Sequence, residues 1–276
     1  MTSLRSGAAC HTRREMAWQL AHDHLAADGP AVVLLHAGVA DRRAWRDVAP
    51  ALHARGADVL AYDRRGFGET PPCTEPFRHV DDLLGLLDAP TWLVGNSQGG
   101  LISLDAALLA PELVAGLVLI APAVSGAPEL PVGDLDPAIA ALEESFEEAD
   151  AAGDLEAANR LEMHYWLDGP TSAEGRVGGA ARELALDMNG IALRSGMPED
   201  AGASGLDAWP RLGEIKAPAT IVWGDLDHPE SIAMCRELAD RLGAVRDAIE
   251  LPGVAHLPSL ERPGEVSGII ATAMGL

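Results

Sequence analysis

Six runs of largely consecutive apolar residues punctuate the chain: Ala31–His36, Ala57–Tyr62, Thr91–Val94 and Val114–Ile120 in its first half, Ala219–Trp223 and Ala248–Leu251 near its end. Continuous rather than alternating apolar character is expected of strands buried on both faces. The segments around them, Arg43–Arg55, Phe77–Leu87, Leu101–Leu109, Glu230–Leu242 and Pro263–Met274, read as helices. Alternating strand and helix predict an α/β fold, with a mostly parallel central sheet and helices on both faces.

The rhythm stops between Val124 and Leu206. Strong strand runs are missing there, and Ile139, Leu142, Phe146 and Ala149 are spaced to give a helix one apolar face. Glu143, Glu144, Glu147 and Glu148 fall largely away from that stripe, so 143–150 is expected to be a solvated helix face. Because the strand pattern resumes afterwards, the segment reads as an insertion. Residues 1–123 and 207–276 are expected to form the core domain and 124–206 a helical cap.

Composition narrows the class. The 276 residues are 48% hydrophobic and 22% charged, enough to bury a large core. Forty-two acids against 20 bases give a net charge of −22, and Lys216 is the sole lysine. Such a chain is repelled by phosphate backbones and anionic lipid headgroups, which excludes nucleic acid and membrane surfaces as partners. No run approaches the roughly 18 apolar residues of a membrane span, and no apolar run follows the basic N-terminus as a signal peptide would require. Cys10, Cys73 and Cys235 form neither a CxxC pair nor a disulfide framework, which suits a reducing compartment; the expected location is cytoplasmic.

Gly95-Asn96-Ser97-Gln98-Gly99 fits G-x-S-x-G, directly after one predicted strand and before a helix. A serine on so sharp a turn needs small neighbours, which Gly95, Gly99 and Gly100 supply, and its hydroxyl is lifted above the carboxyl edge of the sheet. A hydroxyl is a poor nucleophile until a base takes its proton, so a histidine and an orienting acid should follow. His256, in the loop before the last helix, is the candidate base. Asp225 and Asp227 both follow the strand Ala219–Trp223; Asp227 is far enough out to reach His256, and Asp225 is placed to brace the turn. A tetrahedral intermediate also needs two backbone N–H donors. Gln98, next to the serine, is one, and the turn His36-Ala37-Gly38-Val39 offers the other, with Gly38 preferred and Val39 second. His36 is expected to brace this loop.

Together these features resemble the α/β-hydrolase superfamily over nearly the whole chain. His36-Ala37-Gly38 looks like its oxyanion loop, Asp63-Arg64-Arg65-Gly66-Phe67-Gly68 is similar to its D-x-R-G-x-G loop, and GNSQGG looks like its nucleophile elbow. GDLDHP then resembles the acid loop, AHLPSLERP the histidine loop, and Val124–Leu206 the cap. The resemblance implies structural roles beside the site for Asp63, Arg64 and Gly66. It leaves the reaction open among esterases, lactonases, amidases and carbon–carbon bond hydrolases. Asn96 is similar to the last group, whereas Asp41-Arg42-Arg43-Ala44-Trp45 and His256-Leu257-Pro258 depart from it and lie nearer to an enol-lactonase-like branch.

The expected function is a serine hydrolase cleaving a small-molecule ester or lactone through an acyl-enzyme on Ser97. A carbon–carbon bond hydrolase, or a non-catalytic ligand-binding protein on the same fold, are the alternatives. Segment 124–206 holds 17 acids and 4 bases, so anionic substrates would be disfavoured if those charges faced the pocket, and a neutral or weakly polar substrate is expected. Arg42 and Arg43 are the better anion-binding candidates. Trp45, Tyr165 and Trp166, with Met163 and His164, are candidate pocket-lining residues. His22-Asp23-His24 lacks a third ligand at useful spacing, and no nucleotide loop occurs, so neither metal nor cofactor is expected. The oligomeric state stays open.

Overall fold

The computed structural model describes residues 19–276 apart from Leu135 and Glu199. Cys10 and the N-terminal segment weighed as a signal peptide lie outside the described residues. Seven strands form one sheet among the described residues, in the order β1-β3-β2-β4-β5-β6-β7. They are β1 (His22–Leu25), β2 (Ala31–Leu35), β3 (Asp58–Tyr62), β4 (Thr91–Asn96), β5 (Val114–Ile120), β6 (Ala219–Gly224) and β7 (Val245–Leu251). Only β1 runs antiparallel, against β3; every other pairing is parallel.

The consecutive apolar residues of the inner strands fill two cores. Val33, Leu35, Leu60, Leu93, Leu117, Leu119 and Ile221 pack on one face with α2 (His79–Leu86), α3 (Gln98–Leu109) and α7 (Pro229–Arg241). Val32, Leu34, Val59, Val94, Val118, Ile120 and Val222 face the other way, against α1 (Val48–His53) and α8 (Pro263–Met274). Successive strand residues point to opposite faces, so a strand covered by helices on both sides must be apolar throughout.

The two outer strands carry a weaker pattern. β1 reads His-Asp-His-Leu and is partly solvated, and β7 begins at Val245, three residues before its predicted start. An edge strand faces water along one side and has no need of an unbroken apolar run. The His22-Asp23-His24 segment is therefore strand, with His24 Nε2 2.8 Å from Asp58 Oδ1.

Between β5 and β6 lie α4 (Pro137–Ala152), α5 (Leu155–Met163) and α6 (Gly179–Ser195). Asp136 accepts from the Ala138 N–H to cap α4, and Gly153 ends it in the left-handed conformation (φ +67°); Asp154 then caps α5 through the Ala157 N–H. α5 continues into a π-helical turn, His164–Asp168. Leu142, Ala149, Ala158 and Leu161 form a small core within this layer, while Met163, Leu167, Ala185 and Met188 pack on Ala37, Ala40, Ala44 and Leu257 and tie it to the sheet's loops. Among the described residues no helix is long and apolar enough to cross a membrane.

Candidate active site

β4 delivers Ser97 to the edge of the sheet in a conformation unusual for a side-chain-bearing residue, φ +53° and ψ −115°. That strain, of order 1–3 kcal/mol, is tolerated because the surroundings leave no alternative. A Cβ on Gly95 would stand 2.3 Å from the Gly99 carbonyl, and one on Gly99 would stand 2.3 Å from the Leu35 carbonyl oxygen. Only glycine at both positions allows the strand, the turn and α3 to close so tightly. The Ser97 N–H donates to the Ile120 carbonyl (2.9 Å), and the Ser97 carbonyl accepts from Gly100 and Leu101, so α3 starts at the turn itself.

His256 and Asp227 meet across two loops. Nδ1 of His256 is 2.7 Å from Oδ2 of Asp227, with both side chains nearly inaccessible to solvent. The other carboxylate oxygen of Asp227 accepts from the His228 N–H at 2.7 Å. Asp225 does not join them; it accepts from the Gly253 N–H (2.6 Å) and braces the histidine loop from below. The backbone of His256 is held on both sides, its N–H donating to the Trp166 carbonyl (3.1 Å) and its carbonyl accepting from Asn96 Nδ2 (3.1 Å). The Trp166 ring lies 4.5 Å from the imidazole. Asn96, read from sequence only as a family likeness, thus ties the elbow to the histidine loop, since the same amide also donates to Ile120 O at 3.0 Å.

Ser97 and His256 open into one cavity of about 870 Å³, whose lining includes Gly38, Val39 and Gln98. The loop after β2 is fixed from beneath. His36 bridges the Ala37 carbonyl (2.8 Å) and the Arg64 N–H (3.1 Å), which makes Nδ1 the donor and Nε2 the acceptor. Burial and the Arg64 charge hold this imidazole well below its ordinary pKa. Arg64, itself buried, donates to Gln98 Oε1 (2.7 Å) and the Ala37 carbonyl (3.0 Å). Asp63 accepts from the Arg42 and Glu69 N–H groups, both at 2.8 Å, and shapes the neighbouring loop.

Two expectations from sequence are corrected. Trp45 is 1% exposed and packs into the second core with Val32, Val48 and Leu52, not on the cavity, because the 3₁₀ turn Arg42–Trp45 directs it inward. Arg42 and Arg43 do not line the cavity either: Arg42 is paired with Asp63, Glu69 and Asp23, and Arg43 with Asp41 and Asp187. The acidic stretch stays largely solvated, as expected: Glu144, Glu147, Glu148 and Asp150 are exposed, while Glu143, Glu147 and Asp150, with Glu162 from α5, also line the cavity. Residues 143, 147 and 150 share one helix stripe beside the apolar one, a spacing legible in the sequence. Tyr165 and Trp166 do line the cavity. Met163 is buried in the core, and His164 turns to the Ser172 carbonyl (2.9 Å).

A model of the Alpha/beta hydrolase family matches residues 32–269. The chain belongs to this family. Among curated hydrolases it is 30% identical, over 234 residues, to the pimeloyl-[acyl-carrier protein] methyl ester esterase of Neisseria meningitidis serogroup B, spanning 83% of this chain and 86% of that one. It is 28% identical to the 2-hydroxy-6-oxo-6-phenylhexa-2,4-dienoate hydrolase of Comamonas testosteroni, over 76% of this chain and 75% of that one. A match of 40% identity to a Pseudomonas savastanoi protein is shorter and covers only 39% of that relative. In fold, the enol-lactonase of Burkholderia xenovorans superposes with a TM-score of 0.69 at 24% identity, over 93% of this chain and 96% of that one. The hydrolase relatives are named for different substrates, and the fold alone does not choose among them.

Proposed function

We propose that this α/β hydrolase cleaves a small-molecule ester or lactone in two steps through an acyl-enzyme on Ser97. The observation that carries the reading is the 2.7 Å contact between His256 Nδ1 and Asp227 Oδ2, made beside the cavity that Ser97 also lines. Asp227 accepts a hydrogen bond from Nδ1–H and fixes the tautomer that leaves Nε2 free to act as base. His256 takes the Ser97 proton as Oγ attacks the substrate carbonyl. The oxyanion is held by the N–H groups of Gln98 and Gly38, about 3 kcal/mol per donor. The alcohol leaves with a proton returned from His256; in a lactone it stays tethered to the acyl group. Water, deprotonated by His256, then attacks the acyl-enzyme and frees the acid and Ser97.

Residues 124–206 serve in this reading as a cap over a core of residues 1–123 and 207–276, with Tyr165 and Trp166 contacting substrate. The enzyme works on small molecules in the cytoplasm, without metal or cofactor. A second reading, carbon–carbon bond hydrolysis, is favoured by the similarity to the Comamonas testosteroni enzyme and by Asn96.

A panel of short- and medium-chain nitrophenyl esters, lactones and a vinylogous 1,5-diketone tests both readings. Ester or lactone turnover that disappears in Ser97→Ala is the expected result. Preferential cleavage of the diketone would favour the second reading, and no turnover of any member would favour a binding protein.

A further inference from the structure

Arg64 is a buried guanidinium without a carboxylate. It is 1% exposed and forms no ion pair among the described residues, and Asp63, the preceding residue, is paired with Arg42 instead. Withdrawing a cation from water without a counter-ion is costly, so the few partners it does have carry weight. They are Gln98 Oε1 (2.7 Å), the Ala37 carbonyl (3.0 Å) and the face of the Phe67 ring, 4.3 Å from the guanidinium carbon.

A guanidinium has N–H donors and no acceptor. The Gln98 carboxamide must therefore turn its oxygen to Arg64, which leaves its NH2 group facing away. Nε2 makes no hydrogen bond among the described residues and, unlike Arg64 Nε, is not sealed from solvent. Gln98 lines the cavity together with Gly38, Ser97 and His256. Its amide lies against Gly38: a Cβ on that glycine would stand 3.2 Å from Gln98 Oε1 and 3.8 Å from Nε2. The Arg64 charge draws electron density towards Oε1 and strengthens Nε2 as a donor.

Gln98 thus offers the cavity two donors. Its backbone N–H is one of the pair assigned to the oxyanion, and its side-chain NH2 lies beside the other member of that pair, Gly38. An acceptor that meets Nε2 while the carbonyl oxygen is held by the backbone N–H sits close to the reacting carbon along the acyl chain. We propose that Gln98 Nε2 is a specificity-determining donor, and that the site selects esters or lactones whose acyl part carries an oxo or hydroxyl oxygen on carbon 2 or 3. Arg64 is a positioning residue, which acts by fixing the orientation of that amide. The inference deepens the reading above and rests on it. The class it names is neutral, within the neutral or weakly polar substrates expected from the sequence.

The test compares two pairs of p-nitrophenyl esters that exchange a hydroxyl for a methyl group: hydroxyacetate with propanoate, and 3-hydroxypropanoate with butanoate. Each ratio of kcat/KM is divided by the ratio of the same two esters' rates of hydrolysis by hydroxide, which removes their difference in intrinsic reactivity. In the wild type at least one corrected ratio is expected to favour the hydroxyl ester by about tenfold. Gln98→Met keeps the backbone N–H and the length of the side chain but removes the amide, and its corrected ratio is expected to fall towards one. Arg64→Met leaves the amide free to turn and is expected to lose most of the same preference. A merely structural loss would lower both esters of a pair alike and leave the ratio in place. Corrected ratios near one for both pairs in the wild type, or a preference unchanged in either variant, overturn the inference while leaving Ser97 as nucleophile. Turnover that is absent for all the esters, or that persists in Ser97→Ala, overturns the acyl-enzyme reading and this inference with it.

Discussion

The carbonyl of Trp166 accepts the backbone N–H of His256 at 3.1 Å, while the indole of the same residue lies 4.5 Å from the imidazole. The helical layer between β5 and β6 therefore touches the candidate base through both backbone and ring. The geometry of the histidine depends on three separate parts of the chain: this layer, the acid loop after β6 and the elbow after β4.

In the proposed mechanism the acid loop supplies the orienting group. Replacing Asp227 with Asn keeps the size of the side chain but removes the anion that fixes the imidazole tautomer. A loss in kcat on the order of 10³–10⁴ is expected. Asp225→Ala removes only the acceptor for the Gly253 N–H and is expected to cost about 1 kcal/mol of stability, with a kcat change of less than about tenfold. Steady-state kinetics and urea titrations of both variants check the assignment; equal kinetic losses would count against it.

Arg176 holds the layer and the histidine loop together. Its guanidinium donates to the carbonyls of Asp168 (2.6 Å), Leu167 (2.8 Å) and Gly253 (3.1 Å) and pairs with Glu261, which in turn accepts from the Ala255 N–H. Arg176→Ala is expected to lower kcat more than it raises KM, because it frees the loop that carries His256. Arg176→Lys should restore little, since an ammonium cannot reproduce the planar fork. A variant that loses stability but keeps its kcat would assign Arg176 a purely structural role.

Trp45 belongs to the core and not to the cavity. Trp45→Ala is therefore expected to cost about 3–5 kcal/mol of stability while leaving KM for a neutral ester within about twofold. A large KM change with little loss of stability would return Trp45 to the substrate pocket.

Burial, with Arg64 and Arg65 nearby, pushes the pKa of His79 down to about 2. An unfolded histidine titrates near 6.5, so below that pH the unfolded chain binds a proton that the native state refuses. This contribution to stability is complete above about pH 6.5 and declines as pH falls, by about 1.4 kcal/mol per pH unit. His79→Gln should make the stability–pH curve shallower by that slope between pH 5 and 6.5. Denaturant titrations across this range check it, and parallel curves would contradict the buried neutral state.

The inner strands and the elbow were legible in the sequence for a physical reason: burial on both faces demands unbroken apolar runs, and a crowded turn demands Gly95 and Gly99. The candidates Ser97, Asp227 and His256 were named from chemistry and chain order; the structure brings Asp227 to His256 and sets Ser97 and His256 on one cavity. β1 was not legible, because a half-solvated edge strand carries no such run. Nor were Asn96 and Arg176, whose hydrogen bonds run to backbone carbonyls remote in sequence and leave no spacing to read. The acid stripe at 143, 147 and 150 was visible as a helical period. Which way it faced depended on how α4 packs, and only the tertiary structure supplies that.

The central claim is that Ser97 is the nucleophile and His256 its base. Its most direct measurement is the intact mass of the protein after treatment with a neutral p-nitrophenyl phosphonate, followed by peptide mapping. One phosphonyl group on Ser97 is expected in the wild type, with none in Ser97→Ala and labelling slowed at least about 10²-fold in His256→Ala. An unlabelled wild type, or a label that persists in Ser97→Ala, would contradict the account.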